Sequence, residues 1–198
     1  MQTETRKRIA NLTSNILNPF LVSIILILLL SLKSTSSALD AVKWLLISIA
    51  TSILPVFSVI IYLVRKQRLE SPFLITRKQR TKIYLVAGVC AGIGCIIFPY
   101  LGAPPTLRAA FVAGLSAVVV FMCVNLLWKI SLHTALVTAS VTVLIILYGS
   151  IAAVTVVLVP LIAWSRIELK HHSPAQVIAG ALLAALIAVV VFYLFGLV

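Results

Sequence analysis

Apolar runs as long as a bilayer is thick recur along almost the whole chain, separated by short polar segments, and nothing else in the sequence restricts its fold as strongly. They extend from about Ile16 to Leu32, Val42 to Val64, Ile83 to Leu101, Leu107 to Trp128, Leu132 to Tyr148, Ile151 to Trp164 and Pro174 to Leu197. A spanning helix takes about 20 such residues, so the expected fold class is an all-α polytopic membrane protein with six to seven transmembrane helices. The sixth run is short and carries Pro160, so the fifth and sixth are expected to form a tight hairpin turning at Gly149 and Ser150. No segment alternates like a β-barrel strand. With 62% of residues hydrophobic and 10% charged, a soluble globular domain and a disordered chain are both excluded. Arg6-Lys7-Arg8 before an apolar run and Ser36-Ser37-Ala38 after it have signal-peptide character; the segment is expected to be retained as a helix. No internal repeat or linker divides residues 1–198, which read as one domain.

Charge is lopsided. Sixteen Lys and Arg stand against four Asp and Glu, a net of +12. In a membrane chain this excess marks orientation and anionic partners, and nucleic acid is not an expected partner. Seven spans place the amino terminus and the loops after spans two, four and six on one side, with 13 of the 16 basic residues. The positive-inside rule puts that side in the cytoplasm of a cell (inner) membrane and the carboxyl terminus outside. The stretch from Arg65 to Lys82, including Arg68, is expected to attract anionic lipid. Cys90, Cys95 and Cys123 fall inside spans with no metal-ligand spacing, and are expected to be buried thiols acting as small hydrophobes.

The three histidines, His133, His171 and His172, all fall at the cytoplasmic ends of spans beside basic residues. Ser131 reads as the N-cap of span five, with Lys129 and His133 flanking a helix terminus suited to an anion. Ser173-Pro174-Ala175-Gln176 reads as a capping box with Pro at the first helical position, which places His172 just outside span seven and near Arg166. Arg77 and Arg80 stand at the entrance to span three. Each cluster also has a structural reading, as snorkelling cations and ordinary caps. Their shared face favours a site: cations for phosphate oxygens, one imidazole to attack phosphorus and another to protonate the leaving oxygen.

At these residues the chain resembles the type 2 phosphatidic acid phosphatase superfamily, whose motifs are Lys-x6-Arg-Pro, Pro-Ser-Gly-His and Ser-Arg-x5-His-x3-Asp. Ser165-Arg166, His172 and Gln176 follow the third, with Gln for Asp. Ile130-Ser131-Leu132-His133 keeps the Ser and His of the second. The first is degraded, and Arg77-Lys78-Gln79-Arg80 is its nearest substitute. The resemblance spans Arg77 to Gly180, about half of the chain. It implies a membrane lipid phosphatase in which His172 is the nucleophile and His133 the acid, with Arg166, Arg77, Arg80 and Lys129 on the phosphoryl oxygens, helped by the Ser131 backbone. It implies no metal and no cofactor. Gln176 can orient His172 but cannot balance an imidazolium, and Glu168, four residues before His172, is expected to replace the missing carboxylate in part. Phosphatidic acid, phosphatidylglycerol phosphate and isoprenyl phosphate or diphosphate are compatible substrates. A weak or inactive relative that binds lipid phosphate as a subunit of a membrane complex is the alternative reading, and homo-oligomerisation stays open. A transporter is disfavoured, since no span carries a charge at its centre and there is no inverted repeat.

Overall fold

The computed structural model describes residues 2–66 and 77–198, except for the side chains of residues 2, 3, 77 and 78. Arg68 therefore lies outside the described residues, as does much of the segment expected to attract anionic lipid. In chain order come α1 (Gln2–Ile16), α2 (Pro19–Ser34), α3 (Ala38–Ser48), a π turn (Ile49–Ile53), α4 (Leu54–Arg65), α5 (Arg77–Tyr100), α6 (Pro105–Leu127), α7 (Leu132–Tyr148), a 3-10 segment (Gly149–Val157), α8 (Leu158–Glu168) and α9 (Pro174–Leu194).

The chain is an all-helical membrane protein. Among the described residues five helical stretches are long and apolar enough to cross a bilayer, or six when α1 and α2, bent by 44° at their junction, count as one. One of the five, Leu132–Glu168, is 37 residues long and cannot be a single span. Val137 and Val141 of α7 pack against Ile162 of α8. In a straight helix residues 141 and 162 would stand about 30 Å apart. The chain therefore folds back, and it does so at Gly149, whose φ of 66° takes it out of the helix. This is the hairpin expected between the fifth and sixth runs, with the 3-10 segment leading into α8.

Local chemistry explains the remaining breaks. Pro55 lacks an N–H and its ring crowds the carbonyl four residues earlier. The helix widens into the π turn immediately before it, so the stretch from Ala38 to Arg65 continues instead of breaking. Ser37 caps α3 by accepting from the Asp40 N–H, while Pro105 and Pro174 occupy the first helical positions of α6 and α9. The helix α1 is an addition to the expected spans. It carries too many polar residues to register as an apolar run.

The described residues form two compact units, one of Met1–Leu26 with Lys129–Val198 and the other of Ile27–Trp128. In the first, α9 buries Gly180, Ala184 and Ala188, spaced by four, and packs along α7. Small residues at this spacing let two helix backbones approach where no hydrophobic effect drives them together. Leu182, Leu186 and Val190 are exposed on the outside of α9, as a lipid-facing surface requires. In the second, Trp44 stacks on Phe98 at 5.7 Å and Phe98 on Phe111 at 4.1 Å. A Cβ on Gly94 would run into the Phe111 ring, which accounts for glycine there. Of the three cysteines only Cys90 is buried; Cys95 is half-buried and Cys123 exposed. The expectation of three buried thiols holds for Cys90 and is corrected for Cys95, which is half-buried, and for Cys123, which is exposed on α6.

Candidate functional site

The site is built at one end of the first unit, where α7 and α9 begin and α8 ends. Ser131 caps α7: its Oγ accepts from the Thr134 N–H and pairs with Thr134 Oγ1 at 3.0 Å, and both residues are almost wholly buried. His133 therefore sits in the first helical turn, 7% exposed, at the positive end of the α7 dipole.

The link from α8 to α9 is determined by two caps that meet head to tail. At the end of α8 the His171 N–H reaches the Arg166 carbonyl and the Lys170 N–H reaches the Ile167 carbonyl, the two bonds of a Schellman motif. Its left-handed residue is Lys170, with φ 56°, where glycine is usual. The His172 N–H also donates to the Arg166 carbonyl, at 3.3 Å. Immediately afterwards the capping box is complete: Ser173 Oγ accepts from the Gln176 N–H, and Gln176 Oε1 accepts from the Ser173 N–H at 3.2 Å. His172 is thus held between one helix end and the next helix start, and is 6% exposed.

Gln176 has a second role. Its Oε1 also lies 3.0 Å from His172 Nδ1. The Ser173 N–H can only donate, so the amide atom it meets is the oxygen, and His172 Nδ1 must be the donor to it. The neutral ring then carries its proton on Nδ1 and its lone pair on Nε2. Orientation of the imidazole, which the resemblance assigns to an acid at this position, is supplied here by a neutral amide.

Backbone contact joins the two helix starts. The Ser131 N–H donates to the Gln176 carbonyl at 3.2 Å. One turn further along α9, a Cβ on Gly180 would stand 2.8 Å from the Ser131 carbonyl oxygen. Because that neighbour is backbone, it cannot rotate away. Gly180→Ala is expected to separate α7 from α9 at the site and destabilise the protein by about 1–3 kcal/mol, read as a lower thermal midpoint in detergent.

Arg166, in the last turn of α8, is 3% exposed. Its Nη1 donates to Ser14 Oγ of α1 at 2.7 Å. Beside it, Ser165 Oγ donates to the Ala10 carbonyl at 2.7 Å, and Glu168 Oε2 accepts from Arg6 Nη2 at 2.9 Å. The Glu168 carboxylate thus engages α1, while the Nδ1 of His172 is engaged by Gln176.

Burial, followed by the positive charges of Arg166 and Lys129, pushes His171 below the ordinary histidine value of 6.5. Its Nδ1 is buried with no hydrogen-bond partner among the described residues. The folded protein therefore binds fewer protons than the unfolded chain between the lowered value and about 6.5, and stability rises with pH across that window. The contribution is complete above about 6.5 and is lost as pH falls through the lowered value. Between about pH 7.5 and about 5.5 the thermal midpoint should drop less in His171→Gln than in wild type.

One unit accordingly holds Lys129, Ser131, His133, Arg166, Glu168, His172 and Gln176. Arg80 lies in the first turn of α5, 8% exposed, and belongs to the other unit. The Arg77 side chain lies outside the described residues. Sequence reasoning missed Ser14, Ala10 and Arg6. A signal was present: Arg6, Ala10 and Ser14 recur every fourth residue, as do contacts along one face of a helix. Among the described residues no three His, Cys, Asp or Glu side chains gather as a metal site would require.

Residues 121–197 match the model of the PAP2 superfamily, the family that the second and third motifs resemble. The matched segment takes in α7, α8 and α9 and leaves α1 outside it. No curated protein and no solved structure matches the chain.

Proposed function

We propose, from the PAP2 superfamily match over residues 121–197, that this protein is a phosphatase of a lipid phosphate working through a phosphohistidine at the cytoplasmic face. The match supports phosphatase activity in general. The observation that carries the finer reading is the Gln176–His172 bond, because it leaves Nε2 of His172 with the lone pair that attack on phosphorus needs.

In the first step His172 Nε2 bonds to phosphorus and the phosphorus–oxygen bond to the leaving group breaks, which is the lipid alcohol from a monophosphate and the lipid monophosphate from a diphosphate. His133 as imidazolium gives its proton to the departing oxygen. In the second, water attacks phosphorus and passes its proton to neutral His133, and the N–P bond breaks to release inorganic phosphate and restore Nε2. Arg166 and Lys129, with the first-turn N–H groups of α7, hold the phosphoryl oxygens as charge builds on them. The basic asymmetry of the loops supports a cytoplasmic site, and the lipid-facing apolar helices support a substrate drawn from the bilayer: phosphatidic acid, phosphatidylglycerol phosphate or an isoprenyl phosphate or diphosphate.

One observation favours a second reading. Gln176 is neutral, so an imidazolium at His172 would have no carboxylate behind it, which suits a lipid-phosphate-binding subunit of a membrane complex better than a catalyst. Phosphate release from these lipids by purified protein in EDTA, with trapping of a radiolabelled acid-labile phosphoenzyme, decides between them. Release and trapping support the enzyme; lipid-phosphate binding with neither supports the binder.

A further inference from the structure

The residues of α1 that meet α8 belong to no family motif and lie outside the segment that matches the family. They nevertheless reach the phosphate-binding arginine of the proposed site. Arg6, Ala10 and Ser14 lie on one face of α1, two helical turns from first to last. They contact Glu168, Ser165 and Arg166 respectively, at 2.9, 2.7 and 2.7 Å. Two of these contacts are buried: Ser165 is 0%, Arg166 3% and Ser14 6% exposed.

Arg166 is tied at both ends. Its carbonyl accepts the N–H groups of His171 and His172, so its main chain is part of the link that carries the nucleophile. Its side chain donates to Ser14. A guanidinium is planar with five N–H groups in a fixed fork, so anchoring Nη1 limits where the others can lie. We infer that Ser14 of α1 is a positioning residue of the site, holding the Arg166 guanidinium in the plane that meets the phosphoryl oxygens on His172. The inference rests on the phosphatase reading, since it names the residue that aims that reading's principal cation.

A hydroxyl suits this position because it accepts from the guanidinium without neutralising it. A carboxylate at position 14 would draw the charge away from phosphate, and an alanine would leave a buried donor without its acceptor. The surface pair of Arg6 and Glu168, with Arg6 60% exposed on its side chain, clamps α1 in register at little energetic consequence.

The test compares wild type, Ser14→Ala and Ser14→Thr as full-length protein in lipid nanodiscs. It measures phosphate release from phosphatidic acid alongside inhibition and binding by vanadate, a mimic of the transferring phosphoryl group. Misaiming a cation by an ångström costs up to about 100-fold. Ser14→Ala is therefore expected to lose roughly 10- to 100-fold in kcat and in vanadate affinity. KM should stay within about threefold, and Ser14→Thr should recover most of the loss. A merely structural role would lower the thermal midpoint and the active fraction while leaving vanadate affinity unchanged, and that result overturns the inference. Equal kcat and vanadate affinity in wild type and Ser14→Ala overturns it as well. If wild type binds vanadate but releases no phosphate, the phosphatase reading falls. The positioning role then stands or falls on whether Ser14→Ala weakens vanadate binding.

Discussion

His172→Ala is expected to lower phosphate release by about a thousandfold or more and to abolish the acid-labile phosphoenzyme. The magnitude follows from losing the covalent route altogether, not from weakening one contact. The substitution should leave the local fold in place. The bonds that shape the link from α8 to α9 run from backbone N–H groups to the Arg166 carbonyl and through the Ser173–Gln176 capping box, and the His172 ring is in neither. Gln176 Oε1 keeps the Ser173 N–H after the ring is gone. A melting midpoint close to wild type with no phosphoenzyme is the expected pair of results. Equal phosphate release in the variant would remove His172 from the chemistry.

Replacement of Arg166 should have the next largest effect. Arg166→Ala is expected to cost roughly 100- to 1,000-fold in kcat, the scale of removing a donor that stabilises transition-state charge. It also leaves Ser14 without its partner in a buried place, so the midpoint should fall. Arg166→Lys separates the two effects. It restores the charge but not the planar fork, so it should regain stability more fully than turnover. Steady-state kinetics on phosphatidic acid and melting curves on the same preparations provide the comparison. A Lys variant as active as wild type would mean that only a point charge is needed, and that the plane set by Ser14 has no part in catalysis.

Much of the unit that holds the site was readable in advance because its signals are local. The capping box at Ser173 and Gln176 and the N-cap at Ser131 depend on residues within four positions of each other, and both form as their spacing requires. The end of α8 was less readable. Its Schellman motif places Lys170 where glycine ordinarily announces such a cap, so the bonds form without the usual residue to signal them. The reversal at Gly149 had its glycine and was anticipated. The π turn before Pro55 was not, because the run from Val42 to Val64 reads as one continuous span and its apolar pattern does not register how the helix widens to relieve the proline clash.

By itself the sequence determined that this chain crosses a membrane, since about 20 consecutive apolar residues have no other stable home. It also determined that His133 and His172 lie at capped helix starts, because capping is chemistry between near neighbours. Only the tertiary structure decided what Arg166 and Glu168 touch. Glu168 is four residues from His172 in sequence, yet its carboxylate pairs with Arg6, 162 residues away. Arg166 reaches Ser14, 152 residues away. The physical reason is that α1 is polar enough to escape a search for spans, while its Arg6–Ala10–Ser14 face acquires meaning only when α8 is laid against it.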